Sequence, residues 1–179
     1  MKTLRTKIEQ SIPILKKELG LSNNLAVPRL LKVVLNAGVG RARDKKRNEL
    51  VADRLAKISG QRPSLRGAKQ SIATFKIRQG DVVGVAVTLR GKRMESFLDR
   101  FINVAIPRTR DFKGYDEKSV DEIGNITVAV REHIVFPETS DEELKDVFGF
   151  AVTIVTTAKN RTEAIALLKA IGFPFKKKA

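Results

Sequence analysis

No cysteine occurs in this sequence, which removes disulfides, thiolate zinc sites and a cysteine nucleophile at once. His133 is the only histidine, so no His-paired metal site can form and Ser-His-Asp chemistry is disfavoured; between Glu132 and Ile134 it reads as a structural residue. Tryptophan is absent, tyrosine occurs once, and nine phenylalanines supply the remaining aromatic content. No apolar run approaches the roughly 18 residues of a membrane span. Residues 1–10 are too polar and too often charged for a signal peptide, so a cytoplasmic location with no membrane partner is expected. No internal repeat is visible. With 179 residues and 42% hydrophobic content, a single compact domain with a real core is the default expectation over 1–179.

What the chain has is positive charge in one place. Residues 29–93 hold 17 Lys and Arg against four carboxylates, a net of +13 out of +15 for the whole chain. Residues 116–146 run the other way, with ten acids against three cations. Charge concentrated in this way costs compact-state stability and attracts polyanions, so the composition points to nucleic acid.

Hydrophobic spacing gives the elements. Leu4, Ile8, Ile12, Leu15 and Leu19 follow the helical period up to Gly20, with Pro13 expected to kink or restart the helix. The branched residues from Arg29 to Asn36 read as a strand. A glycine-hinged basic loop follows, and Asp44 is placed to cap a helix carrying Leu50, Val51, Leu55 and Ile58, closed by Gly60 and Pro63. Residues 61–81 lack periodicity and read as a short strand, then a long exposed basic loop over about 66–81. Val82 to Arg90 is a strand. Gly91 opens a helix with Met94, Phe97, Leu98, Phe101, Ile102 and Ala105 on one face, ending before Pro107. Strands at Ile126 to Arg131 and Phe150 to Thr157 follow, and Asn160 with Glu163 resembles a capping box for a last helix stopped by Gly172 and Pro174.

Alternation along the strands predicts an apolar face through Val83, Val85, Val87, Leu89, then Ile126, Val128, Val130, then Phe150, Val152 and Ile154. The opposite positions are Gly84, Ala86, Thr88, Arg90, with Thr127, Ala129, Arg131 and Ala151, Thr153, Val155, Thr157; Lys32 and Asn36 share a face with Leu30 and Val34. Small, hydroxylic and occasionally basic, that second face suits an open surface rather than another hydrophobic layer.

Several motifs admit two readings. Gly38-Val-Gly40 resembles a nucleotide loop, but the dinucleotide fingerprint wants a third glycine where Arg43 stands, and no Gly-Lys-Ser/Thr triplet exists. A turn presenting Arg41, Arg43, Lys45, Lys46 and Arg47 to phosphates, joined by Arg90, fits better than a small phosphotransferase. Phe75, beside Lys76 and Arg78, suits stacking on an unpaired base, while a lone Phe near a strand end is ordinarily core. Asp141-Glu142-Glu143 could suggest Mg²⁺, yet an acidic helix start capped by Thr139 or Ser140 is the ordinary explanation. No catalytic residue, cofactor or metal is expected.

Taken together, Val27-Pro-Arg29, Leu35-Asn36, Gly38-Val-Gly40, Gln61-Arg-Pro63, Phe75-Lys-Ile-Arg-Gln-Gly80, Val87-Thr-Leu-Arg-Gly91, Ile106-Pro-Arg108, Arg110-Asp-Phe112, Phe136-Pro-Glu138, Thr156-Thr-Ala158 and Gly172-Phe-Pro-Phe175 strongly resemble bacterial large-subunit ribosomal protein five, in order and across nearly the whole chain. The resemblance implies an α+β fold, a curved, mainly antiparallel sheet with helices packed on one face and the other open for RNA. It implies a non-enzymatic protein of the cytoplasmic ribosome that binds 5S rRNA, through Asn36, Gln61, Phe75 and Thr88, and attaches it to large-subunit rRNA in the central protuberance. Lys76, Arg78 and Gln79 would lie in a loop facing peptidyl-site tRNA, and the acidic 116–146 stretch would meet a basic small-subunit head protein at an intersubunit bridge. The pattern departs from the family at 114–126, where Glu122 replaces a glycine and Ile123 an arginine. An extraribosomal RNA chaperone or regulator is the rival function.

Overall fold

The computed structural model describes residues 4–40, 45–140 and 147–176. Its elements are α1 (Leu4–Glu18), β1 (Leu30–Gly38), α2 (Lys45–Ser59), β2 (Ser64–Gly67), β3 (Val82–Leu89), α3 (Gly91–Arg100), β4 (Ile126–Val130), β5 (Phe150–Thr156) and α4 (Arg161–Ala170). Among the described residues the strands form an open antiparallel sheet in the order β2-β3-β1-β5-β4, so the fold is α+β. The chain divides into two compact units: 1–33 with 90–128 and 153–179, and 34–89 with 129–152.

In the first unit α1 packs against α3 and α4. Leu4 and Leu15 are buried along α1, and the helix runs unbroken through Pro13, contrary to the expected restart. The reason is position: the Pro13 ring lies on the exposed side, where water can serve the carbonyl that loses its partner. Gly20, at φ 63, ends the helix with Leu21 N donating to Lys16 O at 3.0 Å, the left-handed C-cap that glycine favours. The last helix begins as its sequence foretold. Asn160 Oδ1 accepts from Glu163 N at 2.9 Å, while the Glu163 carboxylate accepts from Lys159 N at 2.9 Å, one residue outside the expected reciprocal bond. Gly172 then closes it, with Phe173 N reaching Leu168 O.

The helix predicted from Gly91 to Ala105 is interrupted. After α3 the chain makes a π-helical turn over Phe101–Ala105, with Ile106 N bonding Phe101 O at 2.9 Å. All six apolar positions predicted on one face are nonetheless buried. Widening the last turn keeps Phe101, Ile102, Ala105 and Ile106 inside together, so the apolar stripe survives although the hydrogen-bond period changes.

Side-chain hydrogen bonds hold the end of the 106–125 stretch. Thr156 Oγ1 donates to Gly124 O at 2.7 Å, and Asp121 Oδ1 accepts from Asn125 N at 2.5 Å. Gly124, at φ 84, is pressed so closely that a Cβ there would lie 2.8 Å from the Ala158 methyl. Tyr115 stacks on Phe173 at 5.3 Å, and burial raises its hydroxyl pKa above the ordinary tyrosine value.

In the second unit α2 covers β3 with Val51, Leu55 and Ile58. Of the predicted inward positions, Val85, Val87, Leu89, Val130, Phe150 and Val152 are buried in this unit and Ile126, Val128 and Ile154 in the first, while Val83, near the start of β3, is only half-buried; Leu35 and Ala37 of β1 are buried as well. His133 is structural, as its sequence context suggested: fully buried, stacked on Phe148 at 4.3 Å, with Nδ1 accepting from Phe148 N at 3.3 Å. The expected cap Asp44 and the acidic run Asp141-Glu142-Glu143 lie outside the described residues.

Candidate nucleic-acid interface

Within the second unit, β2 pairs antiparallel with β3, placing Ser64 opposite Ala86 and Arg66 opposite Gly84. Directly opposed residues share a face, so Ser64, Arg66, Gly84, Ala86 and Thr88 line the side away from buried Val85, Val87 and Leu89. Asn36, exposed on β1, belongs to the same side: a Cβ built on Gly84 would lie 3.8 Å from its Oδ1. Gln61 is fixed there as well. Its Nε2 donates to Thr88 O at 3.3 Å, and its backbone N–H donates to Ser59 Oγ at 3.2 Å. Of the four residues named from family resemblance, Asn36 and Thr88 share this side of the sheet, and Gln61 is bonded to the Thr88 carbonyl.

Phe75 is placed differently. Residues 68–81 form a self-supporting hairpin rather than a structureless loop: Ala68 N bonds Asp81 O at 2.8 Å, Gly80 N bonds Ala68 O at 3.0 Å, and Ile72 and Ile77 form a bridge. Ser71 Oγ accepts from Gln79 N, and Asp81 Oδ2 accepts from Arg78 N. Phe75 stands in the turn at the tip, 68% exposed, so the ordinary core reading of this residue is wrong. Beside it Lys76 has φ 53, a left-handed conformation that costs a side-chain-bearing residue about 1–2 kcal/mol. Lys76, Arg78 and Gln79 are all exposed.

The glycine turn does not make a nucleotide cradle. Val39 N and Gly40 N both donate to Val83 O, at 3.0 and 3.1 Å, so the amides that would hold phosphate are bonded within the sheet. Arg41 and Arg43 lie outside the described residues; Lys45, Lys46 and Arg47 occupy the exposed first turn of α2. Cations at the positive end of a helix dipole are unfavourable by about 0.3–1 kcal/mol each, and the summed field there attracts anions. Arg90 is exposed just after β3, in the other unit. Among the described residues no group of three or more His, Asp or Glu is arranged to hold a metal.

The pairing of Arg66 with Gly84 depends on the register, which alternation within one strand does not specify.

The chain is similar to known proteins over nearly its whole length. The family described as "Ribosomal protein L5" matches residues 23–78, and the model of that ribosomal family's C-terminus matches residues 82–175. A large ribosomal subunit protein uL5 of Cupriavidus metallidurans is 50% identical over 169 residues, 94% of each chain. Proteins of the same name from Synechococcus sp. and Desulfatibacillum aliphaticivorans are each 48% identical, covering 97% and 99% of this chain and 98% and 100% of their own.

Proposed function

The chain belongs to the ribosomal protein L5 family, structural and non-enzymatic components of the cytoplasmic ribosome, and on that premise we propose that it binds 5S rRNA through the outer face of β1 and β3 and attaches it to large-subunit rRNA in the central protuberance. Asn36, Gln61 and Thr88 supply polar contacts from the sheet, and Phe75 stacks on an unpaired base from the hairpin tip. Arg41, Arg43, Lys45, Lys46, Arg47 and Arg90 neutralise phosphates. Lys76, Arg78 and Gln79 face peptidyl-site tRNA, and exposed carboxylates of 116–146 meet a basic protein of the small-subunit head.

One observation carries this reading most directly. The Gln61 side-chain amide is held by its bond to the Thr88 carbonyl, and its backbone by a bond to Ser59 Oγ, beside a sheet face that carries Ser64, Gly84, Ala86 and Thr88. A polar side chain locked in place before binding loses little entropy on contact.

The decisive experiment measures affinity for 5S rRNA against an unrelated RNA of equal length at near-physiological salt. Preference for 5S rRNA with a steep log–log salt dependence is the expected result; equal affinity for both RNAs overturns the reading. Co-sedimentation separates it from the chaperone alternative, because a ribosomal constituent tracks large subunits stoichiometrically whereas a regulator stays in the soluble fraction.

A further inference from the structure

β2 is an end strand of the sheet: β3 pairs with it on one side, and among the described residues no strand pairs with it on the other. All four of its residues are exposed. Leu65 lies opposite buried Val85, on the face that α2 covers, and yet it stays 52% exposed. Beside it, between α2 and β2, runs a groove of about 590 Å³ with Ala52, Ala56, Pro63, Leu65 and Val82 as its apolar lining. The groove lies wholly within the second unit. An end strand offers unpaired backbone donors and acceptors, and an apolar groove beside it can hold alternate side chains of an added strand.

Charge decides what such a strand carries. Of the two carboxylates lining the groove, Asp53 is already held by Arg54 at 3.3 Å and Lys57 at 3.2 Å. That leaves Glu49 against Lys45, Arg62, Arg66 and Lys69, all exposed on α2 or along the β2 stretch. A second copy of this chain is a poor occupant, because pairing two β2 strands gathers Arg62, Arg66 and Lys69 of both copies, and like charges across a ladder repel. RNA is a poor occupant too: its phosphates gain nothing from the apolar lining, and Glu49 repels them. The strand is short and its register slips between Arg66 and Gly67, features that limit indiscriminate pairing, so an added segment must suit the groove as well as the edge.

We infer that the β2 edge and the adjoining groove dock an extended segment of a partner protein in which acidic and apolar residues alternate. The segment adds as a further strand beside β2. Its apolar side chains, on the Leu65 face, enter the groove, and its carboxylates, on the opposite face, meet Arg66. Alternation is required because successive side chains of a strand point to opposite faces. The groove is on the helix-covered side of the sheet, so this docking stands independently of the RNA reading.

The test titrates a short capped peptide of alternating Glu and Val into isotope-labelled full-length protein and follows backbone amide shifts. Saturable shifts are expected at Ser64–Gly67 and at residues 52–56. A peptide of the same composition with Glu and Val in separate blocks, and the alternating peptide with N-methylated amides on one edge, should both fail to saturate. Leu65→Thr, at an exposed strand position, should weaken the alternating peptide about tenfold while melting temperature and 5S rRNA affinity hold. Arg66→Glu should shift preference to a peptide of alternating Lys and Val. Absence of saturable shifts at β2, equal binding of the blocked or N-methylated peptide, or a Leu65→Thr protein that binds as the parent does overturns the docking site. A concentration-dependent dimer abolished by Leu65→Thr makes a second copy the occupant, and a loss of 5S rRNA affinity in Leu65→Thr assigns the groove to RNA; either result also overturns it. Should Leu65→Thr not fold, the N-methylated peptide still decides. None of these titrations reads the parent's 5S rRNA preference, so each reading can fail alone.

Discussion

Residues 29–93 carry an excess of thirteen positive charges and residues 116–146 an excess of seven negative ones, but the two stretches deploy them in opposite ways. In the acidic stretch Asp116 caps a 3₁₀ turn by accepting from Lys118 N at 2.9 Å, Asp121 holds Asn125, and Glu117 pairs with Lys169 at 2.6 Å. In the basic stretch the described ion pairs of Arg54 and Lys57 converge on one carboxylate, Asp53, while Lys45, Lys46, Arg47, Arg62, Arg66 and Lys69 are exposed. Segment charge is thus a poor measure of the charge a partner meets. Several acids here organise backbone, and the cations line the surface.

The comparison breaks most visibly if the cations prove structural. Lys45→Ala/Lys46→Ala/Arg47→Ala should weaken 5S rRNA binding on the order of a hundredfold at moderate salt and reduce the slope magnitude by about 2–3, if all three meet phosphate. Its melting temperature should hold or rise, since cations leave the positive end of α2. Asp116→Ala/Asp121→Ala should do the reverse, costing about 1–3 kcal/mol in urea unfolding through lost caps while RNA affinity stays level. Phe75→Leu sharpens the contrast at the hairpin tip: roughly tenfold weaker RNA binding from lost base stacking, with unfolding unchanged because the ring is exposed. Glu122→Gln/Glu132→Gln, at exposed positions, should shift stability by no more than about 0.5 kcal/mol, measured by the same unfolding curves.

Much of the architecture was legible because burial and period coincide. The strands, the apolar face of the helix after Gly91 and the Asn160–Glu163 cap all follow from residue spacing. The π turn at Phe101–Ala105 was not, since over one turn the same apolar positions satisfy either helical period. Pro13 does not restart the helix, because its ring lies on the exposed side. At the site, Asn36, Gln61 and Thr88 came from family resemblance; Asn36 and Thr88 lie on one side of the sheet, and Gln61 bonds the Thr88 carbonyl. Arg66 meets Gly84 only through cross-strand register. The bonding of Val39 and Gly40 to Val83 likewise follows from pairing, and no local glycine pattern reveals it.

The paired bonds between Ala68 and the Gly80–Asp81 backbone tie the hairpin off at its root, where Gly67 lies so close to Gly80 that a Cβ would come within 3.3 Å of the carbonyl oxygen. A projection clasped at its neck is an arm and not a tether: the backbone bonds that close the stem also fix where Phe75 stands relative to the end of β2.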